Sequence, residues 1–257
     1  NEDKGRPPHQ ELREAREHTQ TIRTVENQRE SFRLQREMIV AQTLEDIRTG
    51  HWDMERFLLR TDAIDLQEAG ELRSDEARQA QEAFIRMTTI LKNRLAEQHI
   101  DEIRSDNDAR VVIDAVREAT RGYHYLAGNS GLDSVRFLTE GGGQCGEISL
   151  TIAAALHNLG LGRHVGLRFY MGDEHHEGHV APVLHYANER GEWIEMDINA
   201  GGPAYIAGTY LAPEEIVINY ARFHHITLPN ASHVLEEHGQ RMLTLQREDG
   251  KGFGLTI

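Results

Sequence analysis

The chain has one cysteine and two tryptophans, and aromatic residues make up only 6% of its 257 positions. A single thiol cannot form an internal disulfide, so oxidative stapling is excluded, and Cys145 is either a packed core residue or a reactive group. Lysine is almost as scarce: of 28 Lys+Arg, only Lys4, Lys92 and Lys251 are lysines. Against these stand 42 Asp+Glu, for a formal net charge of -14. Phosphate backbones and anionic lipid surfaces reward clustered positive charge, so this balance argues against a nucleic-acid binder or a protein of anionic membranes. No apolar run approaches the roughly 18 residues that a spanning helix needs. Residues 1–8 lack the apolar stretch of a signal peptide. The expectation is a soluble protein, cytoplasmic or exported without a recognisable signal, and the missing first methionine fits a fragment of a longer, bacterial chain.

Glutamate, glutamine and arginine are abundant where glycine and proline are absent. Residues 9–48 are rich in these good helix formers and contain neither glycine nor proline, and Gly50 is a plausible stop. Their apolar positions recur at helical intervals, but the stripe is thin before Phe32. The pattern predicts further helices over 51–59 and 64–72. Another begins after Ser74, with Asp75 and Glu76 in its first turn and an apolar face of Ala77, Ala80, Phe84, Met87, Leu91 and Leu95. Residues 1–104 read as a mainly helical accessory region, whose long first helix lies across the main body, pairs with a partner chain or a second copy, or frays at its start.

At Ser105 the texture changes. Ser105 is a natural cap for a helix carrying Val111, Val112, Ala115 and Val116. A glycine-spaced loop, residues 127–143, holds a short apolar run at 135–138. Cys145 then opens a strongly apolar helix that Gly160 closes. Strands are expected over 164–171, 179–186 and 192–198, the last two joined by the turn Asn188-Glu189-Arg190-Gly191. Pro182 marks the middle one as an edge strand or a bulge. A helix after Pro213, another after Ser232 and a strand over 242–246 complete an α+β pattern, with residues 105–257 as the second domain.

The run Gly141-Gly142-Gly143-Gln144-Cys145-Gly146-Glu147 carries the most chemistry. The N–H groups at a helix start favour a thiolate, and a buried packing cysteine is expected mid-helix rather than behind three glycines. No Gly-Lys-Ser/Thr follows, so a phosphate loop is not indicated. Glu147 suits the helix dipole. A thiolate nucleophile needs a proton carrier and a group to orient it. His179 heads one strand and Asp197 ends the next, so a turn near Arg190 is expected to set them side by side at the open end of the hairpin. His185 lies deeper in its strand and is the less suitable base.

Cysteine at a helix start in Gly143-Gln144-Cys145, then a histidine heading a strand, then Trp193-x-x-x-Asp197 on the next strand, resembles the transglutaminase-like branch of the papain-type cysteine enzymes. The resemblance covers about residues 105–211. It implies a nucleophile helix packed on an antiparallel sheet, with Cys145 as nucleophile, His179 as general base and Asp197 as orienting acid. It also implies acyl transfer on peptide or carboxamide bonds of a protein or peptide substrate, through a thioester and without a cofactor. Hydrolysis would make the protein a protease, amidase or deamidase, and transfer to an amine a cross-linking enzyme.

Two other classes read from the same residues. The cluster His175-His176-Glu177-Gly178-His179, with His185 nearby and His224-His225 later, is rich in zinc-binding side chains and would make a metal-dependent hydrolase. Its spacing departs from His-Glu-x-x-His, and Gly172 and Gly178 disfavour the helix that motif needs. A catalytically inactive, transglutaminase-like scaffold is the other alternative, and it draws on the long first helix.

Overall fold

Helix α1 (Pro8–Thr49) follows from its uninterrupted run of Glu, Gln and Arg, and stops where Gly50 takes a φ of 74°. The computed structural model describes residues 8–51, 53–126, 134–170, 179–203, 209–211 and 213–227. The thin apolar stripe behaves as its composition dictates: Ile22 and Val25 are exposed, and burial begins only near Arg36, Ile39 and Val40. Arg36 is the hinge of this packing. Its guanidinium donates to Asp65 at 2.6 Å, to Glu68, and through Nε to the Tyr220 hydroxyl at 3.2 Å.

Asp65 and Glu68 belong to α2 (Met54–Glu68), a single helix where the sequence suggests two. No glycine or proline interrupts residues 59–64, and Leu58, Thr61 and Ile64 keep one buried stripe. The Asp53 carboxylate caps its start by accepting the Arg56 N–H at 2.9 Å. In α3 (Glu76–Glu97) the expected stripe of Ala80, Phe84, Met87, Leu91 and Leu95 is buried, but Ala77 faces solvent. Ser74 is not its cap. The first turn is held instead by the Glu76 carboxylate, which accepts the Arg73 N–H at 3.0 Å. Ser105 does cap α4 (Asp106–Ala119): its hydroxyl accepts the Asp108 N–H at 3.1 Å, and Asp108 returns the bond by accepting the Arg104 N–H at 2.9 Å.

Beyond α4 the chain forms β1 (His124–Tyr125), α5 (Ser134–Glu140), β2 (Gly142–Gly143) and α6 (Cys145–Leu156). The apolar run expected within a loop at 135–138 is therefore helical, burying Val135, Phe137 and Leu138. Strands β3 (Val165–Tyr170), β4 (His179–Ala187), β5 (Trp193–Asp197), β6 (Gly202–Pro203) and β7 (Thr209–Leu211) follow, then α7 (Pro213–Phe223). They form one sheet in the order β6-β5-β4-β3-β7, every neighbouring pair antiparallel. Pro182 thus lies in the central strand, not at an edge or bulge. The Ile198 N–H donates to the Pro182 carbonyl at 3.0 Å, so the nitrogen of Pro182 faces β5 just past its last residue. Its missing donor costs no ladder bond there.

One hydrophobic core runs from Ile39 in α1 to Ala221 in α7. Helix α3 packs on α4, α5 and α6, and α1 packs on α2 and α7. The helices before residue 105 therefore share their core with the sheet. This is an α+β architecture. Among the described residues no helix is long and apolar enough to cross a membrane. The helix expected after Ser232, the strand expected over 242–246 and the 171–178 stretch with His175, His176 and Glu177 lie outside the described residues.

Candidate active site

Of the three glycines ahead of Cys145, Gly141 takes a φ of 75°, and Gly142 and Gly143 are there for close packing. Gly142 and Gly143 pair in parallel with His124 and Tyr125, as the His124 N–H donates to Gly141 O at 2.8 Å and the Leu126 N–H to Gly143 O at 2.9 Å. A Cβ on Gly142 would lie 2.6 Å from Leu126 Cδ1, and one on Gly143 would lie 3.0 Å from Phe137 Cδ2. The pairing fixes the chain's entry into α6. Gln144 is the N-cap, and its N–H donates to the buried Glu147 carboxylate at 2.7 Å. Glu147 therefore does more than suit the dipole: it locks the turn that carries the thiol. Cys145 is the first residue of α6 and is half-buried. Its own N–H falls in the first turn, where backbone donors have no intrahelical acceptor.

Helix α6 lies along β4. One turn after Cys145, the Ser149 hydroxyl donates to the Val180 carbonyl at 3.1 Å, beside His179. At the other end of the helix, His164 Nδ1 lies 3.1 Å from the His185 carbonyl, and Val165 pairs with Leu184. The helix thus runs from the His179 end of β4 to the His185 end. Cys145 and His179 share one end of the sheet, and His185 is at the opposite end of the strand. His179 is exposed and pairs with Tyr170 across β3.

Asp197 is not beside His179. The β4–β5 register places Asp197 opposite Val183, four residues along β4 from His179, or roughly 13 Å at strand spacing. Its Oδ1 accepts the Ala200 N–H at 2.9 Å and its carbonyl accepts the Gly201 N–H at 2.8 Å. That is the chemistry of a strand-end cap. Asp197→Ala should therefore lower stability by about 1 kcal/mol, while Asp197→Asn, whose amide oxygen still accepts a bond, should change it little. Both should leave the rate of Cys145 alkylation near wild type. A fall in that rate with unchanged melting temperature would return Asp197 to the site.

Alternation along the strands sorts the residues further. Leu167, Phe169 and Val180 share a cavity wall with Gly146 and Leu150 of α6, so this face of the sheet looks toward the helix. His179, Ala181, Val183 and His185 alternate with that set and belong to the other face, as do their partners Arg168, Glu195 and Asp197. On that face Arg168 and Glu195 form a buried two-pronged ion pair.

The cavity has a volume of about 660 Å³ and lies between α6, the sheet, α2 and α7. Tyr220 and His224 form part of its wall, their rings 4.4 Å apart between centroids. His224 Nε2 lies 3.6 Å from Asp65. Burial holds the His224 imidazole below its usual range against the opposing pull of Asp65, and burial together with Asp65 raises the Tyr220 hydroxyl. Of these wall residues only His224 stands out in the sequence, as part of His224-His225, because α2, α6 and α7 are brought together only by the fold.

Comparison with protein-family models, with curated proteins and with solved structures finds no match for this chain. The arrangement defines a class: an α+β protein whose only thiol opens a helix laid along an antiparallel sheet.

Proposed function

We propose that this protein is a cysteine-dependent acyl-transfer enzyme acting on a carboxamide or peptide carbonyl. The observation that supports the reading is the Ser149–Val180 hydrogen bond, which brings the Cys145 start of α6 to the same end of β4 that His179 heads, though on opposite faces of the sheet. The resemblance of Gly143-Gln144-Cys145, His179 and Trp193-x-x-x-Asp197 to transglutaminase-like enzymes supports the same chemistry.

His179 heads β4 on the face away from α6, so the Cys145 thiol gives its proton to His179 by way of water around the open end of the strand, and the thiolate forms a bond to the carbonyl carbon. The Cys145 N–H faces the developing oxyanion. Collapse of that adduct breaks the C–N bond, and the imidazolium returns the proton to the departing amine. Water then cleaves the thioester to an acid and the free thiol; an amine in its place yields a new amide. Asp197 takes no part in this proton path and keeps the turn after β5.

The test supplies a panel of glutaminyl and asparaginyl peptides with hydroxylamine as acyl acceptor. The expected result is ammonia or amine release, hydroxamate formation, and a transient mass increase on Cys145 equal to the acyl group. An inert protein across the panel, with a Cys145 that alkylates no faster than free cysteine, would instead favour the scaffold reading, which draws on the displacement of Asp197 from His179.

A further inference from the structure

We propose that the cavity beside α6 is the seat of an uncharged apolar side chain of the substrate, held next to the Cys145 thiol; this rests on the acyl-transfer reading. Two contacts tie the cavity to the reacting end. Gly146, the residue after Cys145, and Val180, the residue after His179, both line it. A group bound there is anchored within one residue of each proposed chemical group.

The lining selects the occupant. Leu66, Leu150, Leu167 and Ile216 supply a mostly apolar wall, and about 660 Å³ exceeds what a single water-filled crevice needs and suits a side chain of several carbons. Gly146 contributes only backbone to this wall. The charged groups on the wall are the carboxylates of Asp62, Asp65 and Glu71 against the guanidinium of Arg136. Arg136 is already joined to Glu71 at 2.7 Å. Asp65 is likewise joined to Arg36 at 2.6 Å, so a charged side chain would meet ions that are already paired, whereas an uncharged apolar one leaves those pairs intact.

Cys145 is the only thiol, so its alkylation reads the cavity without any assumed turnover. The experiment compares second-order rates for N-ethylmaleimide, N-hexylmaleimide and 6-maleimidohexanoic acid on the full chain, followed by intact mass. N-hexylmaleimide should react at least about 10-fold faster than the ethyl reagent, and its rate should saturate, because four further methylenes enter apolar surroundings. The carboxylate-tipped reagent of similar length should lose that advantage. Leu150→Trp and Ile216→Trp, each filling the cavity from a different helix, should abolish the hexyl preference and keep the ethyl rate within about threefold; having two guards against one variant failing to fold. Equal rates for the ethyl and hexyl reagents in the wild type would overturn the cavity assignment and leave acyl transfer standing. A thiol inert to all three reagents would overturn both.

Discussion

Arg168→Met is expected to destabilise the protein by about 3–5 kcal/mol, the cost of leaving a buried charge without its partner. Arg168 on β3 reaches across β4 to Glu195 on β5. Its Nε donates at 2.8 Å to one carboxylate oxygen while a terminal nitrogen bonds the other. Both side chains are only 7% exposed, so solvent cannot take over when one partner is removed. On β4 the bridge starts opposite Ala181, crosses Val183 and ends opposite His185. Arg168→Met/Glu195→Leu should recover most of the loss, since a hydrophobic pair of similar volume avoids the desolvation that the ion pair must overcome. Urea denaturation of the two variants decides the matter. A single variant that costs less than about 1 kcal/mol would show that water reaches the pair.

The Arg36 junction looks similar and should behave differently. Arg36 is 7% exposed on its side chain, but its partners Asp65 and Glu68 are 39% and 40% exposed. Losing the arginine leaves carboxylates that water can still solvate, so the destabilisation there is smaller than at Arg168. Exposure of the surviving partner, and not the number of hydrogen bonds, sets the order.

Much of this was legible before any coordinates. Cys145 at the start of an apolar helix, the three strands that follow, and the Ser105 cap follow from helix-period and strand-period patterns that tertiary packing had no reason to override. The α3 stripe was legible for the same reason. What misled was reliance on local texture. The first hundred residues look too polar to bury a core, yet each helix needs only one inward residue per turn, and Ala80, Ala83 and Phe84 supply it. The apolar run at 135–138 is too short to show a helical period, so its helix α5 comes from packing against α3. Asp197 is more instructive. Ala187 opposite Trp193 centres the hairpin on Arg190. That centre pairs residue 179 with residue 201, not with 197. The expectation of adjacency counted strand ends and not register. The cavity was beyond reach altogether, because its walls come from elements separated by more than a hundred residues.

Cys145→Ala is expected to remove turnover by at least about 10⁴-fold, since no other group in the chain can form the thioester. The substitution sits at the first position of α6, where alanine is a good helix former, so the circular dichroism spectrum and melting temperature should hold. His179→Gln is the discriminating companion. If His179 carries the proton, its loss should cost about 10²–10⁴-fold in rate and remove the limb of the pH profile that belongs to imidazole. The thiolate of that variant should still be alkylated once the pH is raised above the ordinary cysteine range, and turnover should partly return with it. A purely structural His179 would give another pattern: lower stability, an unchanged pH profile and a rate per folded molecule close to wild type. Because His179 is an exposed strand-end residue, its removal should cost little stability, and the two outcomes separate cleanly. A His179→Gln protein with full activity and the wild-type pH profile would leave Cys145 to be activated by its helix start alone, and would move the search for the base to His224 on the cavity wall, where Asp65 lies 3.6 Å away.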